Sequence, residues 1–191
     1  MTQQNPTALL TDMLSQSMVV LSKPSVNTFE RFEKRGGMQQ ALIYVAVGAV
    51  IVGLFSLFGG LLAFLGGIIG TLLGFLVFVY VTHAVGQSQG GTGTLDEVAY
   101  TFSLFWVPLS IVGGLLILVV SLLGFLTFGL GFLLLPLVGL VVIALNIYFG
   151  YLAVQSSMNL YNGGSKVWIT LIAAALASWL VSSIITRVLH G

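Results

Sequence analysis

The sequence predicts an all-α integral membrane protein with five transmembrane helices, set as two hairpins plus a C-terminal span, and a short N-terminal amphipathic helix before them. Three observations predict it. Hydrophobic residues make up 58% of the chain and charged residues only 6%, where a soluble domain carries about 25% charged. The mean hydropathy is +1.11. The few charges are confined, since none lies between residues 36 and 95 or between 98 and 165. A helix rises about 1.5 Å per residue and the hydrocarbon core is about 30 Å thick, so each crossing takes roughly 20 apolar residues.

Residues 1–35 form a cytoplasmic N-terminal segment, and residues 36–191 the five-span domain. The opening stretch does not resemble a cleavable signal, because it lacks a basic start and its apolar run is broken by Asp12 and Gln16. Asn5 is a good N-cap with Pro6 at the first helical position, which predicts a helix over 6–22. Leu9, Leu10, Met13, Leu14 and Leu21 share one face of it. That face suits packing on the cytosolic end of the bundle, or lying on the membrane surface.

The run 40–85 is long enough for about 69 Å of helix, which is two spans with a turn at Gly59-Gly60: 40–58 and 61–85. The same arithmetic gives spans over 104–123 and 132–156, with the glycine-rich break GFLTFGLG at 124–131 between them. The last span covers 167–188. A single tilted helix in place of either hairpin would leave far more excess length than tilt absorbs. Five spans place Lys23, Arg31, Lys34, Arg35 and Lys166 on one side and Arg187 on the other. The lysine and arginine bias therefore puts the N-terminus in the cytoplasm and the C-terminus outside the cell membrane.

The one long polar interruption, GQSQGGTGTLDEVAYTF at 86–102, asks whether it cradles a phosphate. It has no lysine or arginine, so G-x-x-x-x-G-K-[ST] is absent. Thr94 precedes Glu97 by three residues, the spacing of a capping box, and Asp96 adds a favourable charge to the same first turn. The acids are thus helix caps. The expected structure is a hinge over 86–94 and a short interfacial helix leading into the third span at Trp106 and Pro108.

Within the spans, Gly66, Gly70 and Gly74 recur every four residues and line one helix face, with a weaker counterpart in Ala174, Ser178 and Ser182. Such faces let helices approach closely, within the bundle or between copies in a homo-oligomer. Pro108 and Pro136 should kink or begin their helices. Asn146, deep in the fourth span, and His83, close to the inner end of the second, are the polar residues within the spans. Each is a candidate for a substrate role, against a hydrogen bond across a helix pair for Asn146 and contact with interfacial water for His83.

Several chemistries lose their residues. No Asp, Glu, Lys or Arg is placed near a midplane, which argues against a proton-coupled carrier. The 2 histidines, His83 and His190, cannot form H-E-x-x-H, and no G-x-S-x-G is present. No cysteine is available for a disulfide or thiolate metal site, and the net charge of +1 offers no footprint for nucleic acid. No metal or organic cofactor is implied.

KPSVNTFERF before the first span, GGTGTLDEVAYTFSLFWVP running into a proline-bearing third span, and the closing YLAVQSSMNLYNGGSKVWITLIAAALASWLV resemble, in this order, the Yip-one domain (YIP) family of Ypt/Rab-interacting five-span membrane proteins. The resemblance covers roughly 24–188. The short spacings and simple tail look like the family's bacterial form. It implies a cytosolic N-terminus and, from eukaryotic members, a link to Rab GTPases and vesicle traffic. The expected role is non-enzymatic: membrane organisation through the lipid bilayer, a membrane-protein partner or a homo-oligomer. The alternative is a small permease or channel subunit assembled through the glycine face, and a third reading is an enzyme of lipid metabolism.

Overall fold

The computed structural model describes residues 6–55 and 60–190, with side chains over 7–55 and 60–184. The Asn5 cap, the end of the first span at 56–58, Gly59 of the first hairpin turn and the Arg187 side chain lie outside these. Among the described residues the helices are α1 (Pro6–Ser22), α2 (Val26–Glu30), α3 (Met38–Phe55), α4 (Leu61–Ser88), α5 (Leu95–Leu126), α6 (Leu135–Ser157) and α7 (Gly164–His190), with a short 3₁₀ segment (Leu130–Leu134) between α5 and α6. Five of them are long and apolar enough to cross a membrane. The fold is all-helical, as its sequence predicts.

Helix α5 is central, touching α1, α3, α4 and α6, while α7 packs along α4. The best-buried part of the molecule lies at one end, where α1, α2 and the loops after α4 and α6 cap the bundle. Aromatic rings dominate it. Phe105 meets Phe29 edge-on at 6.1 Å and Phe149 stacked at 5.8 Å. Phe78 contacts Phe102 and Trp106 at 5.0 and 5.4 Å. Such pairs add about 0.5–1.5 kcal/mol each beyond the area they bury. Toward the opposite end large apolar side chains such as Leu116, Ile117, Leu140 and Ile143 face outward, the arrangement that suits a hydrocarbon solvent.

Three boundaries differ from the sequence expectation, each for a local reason. Helix α4 continues to Ser88 and ends in a Schellman motif: Gly91 N–H bonds the Gly86 carbonyl at 2.8 Å and Gly90 N–H bonds Gln87 at 2.9 Å, with Gly90 at φ +90°, which glycine adopts without a side-chain penalty. The connection is therefore 89–94. Secondly, there is no separate interfacial helix. The residues from Leu95 onward join the third span in one 32-residue helix with Pro108 inside. Val98, Ala99, Phe102 and Phe105 are all buried, and that burial outweighs the backbone hydrogen bond that Pro108 cannot make. Thirdly, α5 runs three residues past 123, and the chain reverses through Phe128 at φ +53° and the 3₁₀ segment. Pro136 sits in the first turn of α6, where its missing N–H costs nothing.

Helix α1 packs against α5, α2 and α3. Met13, Gln16, Ser17 and Val20 are its buried face, while Leu14 points outward. The polar pair belongs there because each finds a buried partner. Tyr100 donates to Gln16 Oε1 at 3.1 Å, and Ser17 and Tyr44 share a hydrogen bond at 3.1 Å.

Candidate functional site

At the capped end, the acids hold helix starts together. Thr94 Oγ1 accepts the Glu97 N–H at 3.2 Å, and the Thr94 N–H donates to Glu97 Oε2 at 2.8 Å, a reciprocal capping box. One residue before Glu97, Asp96 reaches sideways and accepts the Met38 N–H at 2.8 Å. It thereby caps α3 as well as lending charge to α5. Lys34 lies 3.8 Å from Glu97 but its side chain is largely exposed, so that pair adds little.

The glycine-rich connection is pinned rather than hinged. Thr92 N–H donates to the Met158 carbonyl at 3.1 Å, and Asn159 Nδ2 to Thr92 Oγ1 at 3.1 Å. Gly93 lies against the Ser157 carbonyl so closely that a Cβ there would overlap it. The N–H groups of Gly90, Gly91, Thr92 and Thr94 are all engaged by protein acceptors, which takes from the loop the donors that a phosphate cradle needs. Nearby, Glu33 is buried and accepts Ser156 Oγ at 2.7 Å. Burial pushes its carboxyl above the usual carboxylate range, with the charges of Glu97 and Glu30 adding to this and the Ser156 bond and Lys34 opposing it.

The second feature is a cavity of about 630 Å³ between α3, α4, α5, α6 and α7. Gly66, Gly70 and Gly74 form part of its wall, Ser178 and Ser182 face them from α7, and Asn146 enters from α6. The Ser178 hydroxyl donates to the Gly74 carbonyl at 3.0 Å, and a Cβ on Gly74 would lie 3.2 Å from Ser182 Oγ. This turn of α4 thus contacts α7, and Ala174 is buried one turn away. Gly70 behaves differently. A Cβ there would meet nothing within 4 Å, so it borders open space and not a neighbouring backbone. Asn146 donates to the Val142 carbonyl of its own helix at 2.8 Å instead of bridging two helices.

The structure therefore gathers Gly66, Gly70, Gly74, Asn146, Ser178 and Ser182 around one volume. His83 is half-buried near the capped end of α4, outside the cavity wall, and Thr94 and Glu97 belong to the cap. Sequence reasoning passed over Thr71 and Ser110, which also line the cavity. The available signal was a hydroxyl set within an apolar stretch of each span. Among the described residues no three His, Cys, Asp or Glu side chains come together to hold a metal ion.

A helical chain with five such apolar helices and a membrane-level cavity is a multi-pass integral membrane protein in contact with the lipid bilayer. The Yip1 domain model matches residues 18–184 of the 191, and the chain belongs to the Yip1 domain family. Comparison with curated proteins and with solved structures found no match.

Proposed function

We propose that this protein works through interactions with lipids or membrane-protein partners, organising the membrane around it, and not through bond chemistry. Its form is bacterial, and it resides in the cell membrane with residues 1–35 and the N-terminus in the cytoplasm, the five-span domain over 36–191, and the C-terminus outside. The observation that carries this is where the charge goes. Asp96, Glu97 and Glu33 are spent on helix starts and an inter-element hydrogen bond, while the described residues of the cavity offer hydroxyls, one carboxamide and apolar wall. Such a site recognises shape and hydrogen bonding.

Crosslinking in native membranes, with lipid analysis of the purified protein, tests the proposal. A reproducible partner or an enriched lipid is expected; recovery of neither above a control membrane protein would overturn it. A small permease or channel subunit is the second reading, favoured by the presence of Asn146 beside the hydroxyls of the cavity.

A further inference from the structure

We infer that the cavity binds an uncharged glycerolipid with a free hydroxyl, a diacylglycerol, taken from the surrounding bilayer. This rests on the interaction role above and names its ligand class.

The first argument is space. Cβ atoms built on Gly67 and Gly70 meet nothing within 4 Å, so no neighbouring helix requires glycine at these positions. What the glycines do is keep the volume open. A void of about 630 Å³ would forfeit the dispersion contacts of all its walls, so in a bilayer it is filled. Gly67 and Trp179 stand exposed at its edge, which leaves a way in for membrane-dissolved molecules.

Depth and charge narrow the occupant. Asn146 is 11 residues from Ser157, the end of its helix, or about 16 Å along the axis, close to half of a core about 30 Å thick. A phosphate at that depth would be strongly unfavourable, and among the described residues no Lys, Arg or His lines the cavity to neutralise one.

Hydrogen bonding narrows it further. The hydroxyls of Thr71 and Ser110 line the cavity, and neither has a hydrogen-bond partner among the described residues. Asn146 commits one amide N–H to Val142 and keeps its carbonyl oxygen. Hydroxyls facing hydrocarbon without partners are costly, so an acyl chain alone leaves this part of the wall unsatisfied. The glycerol hydroxyl and ester carbonyls of a diacylglycerol supply both donors and acceptors, and its chains match the apolar remainder.

The test uses the full chain in vesicles of phosphatidylglycerol and phosphatidylcholine carrying a photoactivatable diacylglycerol, with labelled residues mapped by mass spectrometry. Labelling is expected at the cavity wall, competed by unlabelled diacylglycerol and not by added phosphatidylcholine. Gly70→Leu fills the space without meeting an atom at its Cβ and should cut labelling about tenfold or more with thermal unfolding unchanged. Should that variant unfold, Thr71→Val with Ser110→Ala gives the same reading by removing the two hydroxyls, with a smaller loss expected. Equal competition by phosphatidylcholine, labelling outside the cavity, labelling unaffected by both variants, or crosslinks between two copies across the cavity would each overturn the assignment. Native-membrane partner capture on the same preparations separates the two levels. Partners retained without specific diacylglycerol labelling sink the ligand and leave the interaction role standing.

Discussion

Asp96, in the first turn of α5, accepts the backbone N–H of Met38, the first residue of α3, at 2.8 Å across 58 positions of sequence. Two spans that are separated by a complete third one are thus fastened at their starts by a single carboxylate, next to the Thr94–Glu97 box that caps α5 itself.

Each cap should therefore be measurable alone. Asp96→Ala and Thr94→Ala are each expected to cost about 1 kcal/mol, read by equilibrium unfolding in mixed micelles. The loss for Asp96→Ala should appear as fraying of α3 in hydrogen exchange, and that for Thr94→Ala as fraying of α5. Inorganic phosphate should protect neither variant nor the parent, because the loop donors are already used. Saturable phosphate protection of the parent protein would contradict the capping account.

Gly93 and Gly139 should respond oppositely to the same change. A Cβ at Gly93 overlaps the Ser157 carbonyl, whereas one at Gly139, inside α6, meets nothing within 4 Å. Gly93→Ala is expected to destabilise by about 3 kcal/mol, the upper range for overpacking. Gly139→Ala should be neutral or stabilise by about 0.5–1 kcal/mol through helix propensity. Thermal unfolding in detergent distinguishes them, and equal midpoints for the two variants would show that the loop is not docked on the α6 end.

Glu33 predicts a pH dependence. Its carboxyl is raised above the ordinary value of 4.5, chiefly by burial, so the folded state holds the proton more tightly than the unfolded one. Stability is then greatest below 4.5 and falls as pH rises from there through the raised value. Glu33→Gln keeps an oxygen to accept the Ser156 hydroxyl and carries no charge. The variant should match the parent at low pH and gain over it toward neutral pH. A stability difference that stays constant across that range would mean the carboxylate is not desolvated in the fold.

What could be read from sequence was the information carried by neighbours along the chain. Spans follow from uninterrupted apolar length, and the Thr94 and Glu97 pair fits within four residues, so both were legible. Glu33 with Ser156, Asp96 with Met38 and Gly93 with Ser157 were not, because each contact joins residues far apart in sequence and leaves no periodic trace in either segment. Helix α1 shows the same limit, since its inward face holds Gln16 and Ser17, and only their partners Tyr100 and Tyr44 make that polar face stable. Pattern also could not tell a glycine face that touches a helix from one that borders a cavity. Gly74 does the first and Gly70 the second.

The last prediction separates the interaction protein from the permease, and it turns on Asn146. Its amide bonds the carbonyl of Val142 one turn back in the same helix, so no second helix depends on it. Hydrogen bonds inside membranes are worth about 0.6 kcal/mol on average. Asn146→Leu is therefore expected to leave the unfolding midpoint within about 2 °C of the parent's. In a permease the same carboxamide, beside the hydroxyls of Ser110 and Thr71, would be the polar step on the path of a solute, and its loss would stop transport in a protein that still folds. Sealed vesicles loaded with potassium, chloride or glycerol give the measurement. The parent protein should show no flux above protein-free vesicles for the two ions, because no charged side chain among the described residues lines the cavity to bind or exchange them. Glycerol is the sharper probe, being uncharged and able to bond the same groups. Glycerol flux through the parent that disappears in Asn146→Leu, with the fold intact, would sink the interaction reading and establish a transport role for the cavity.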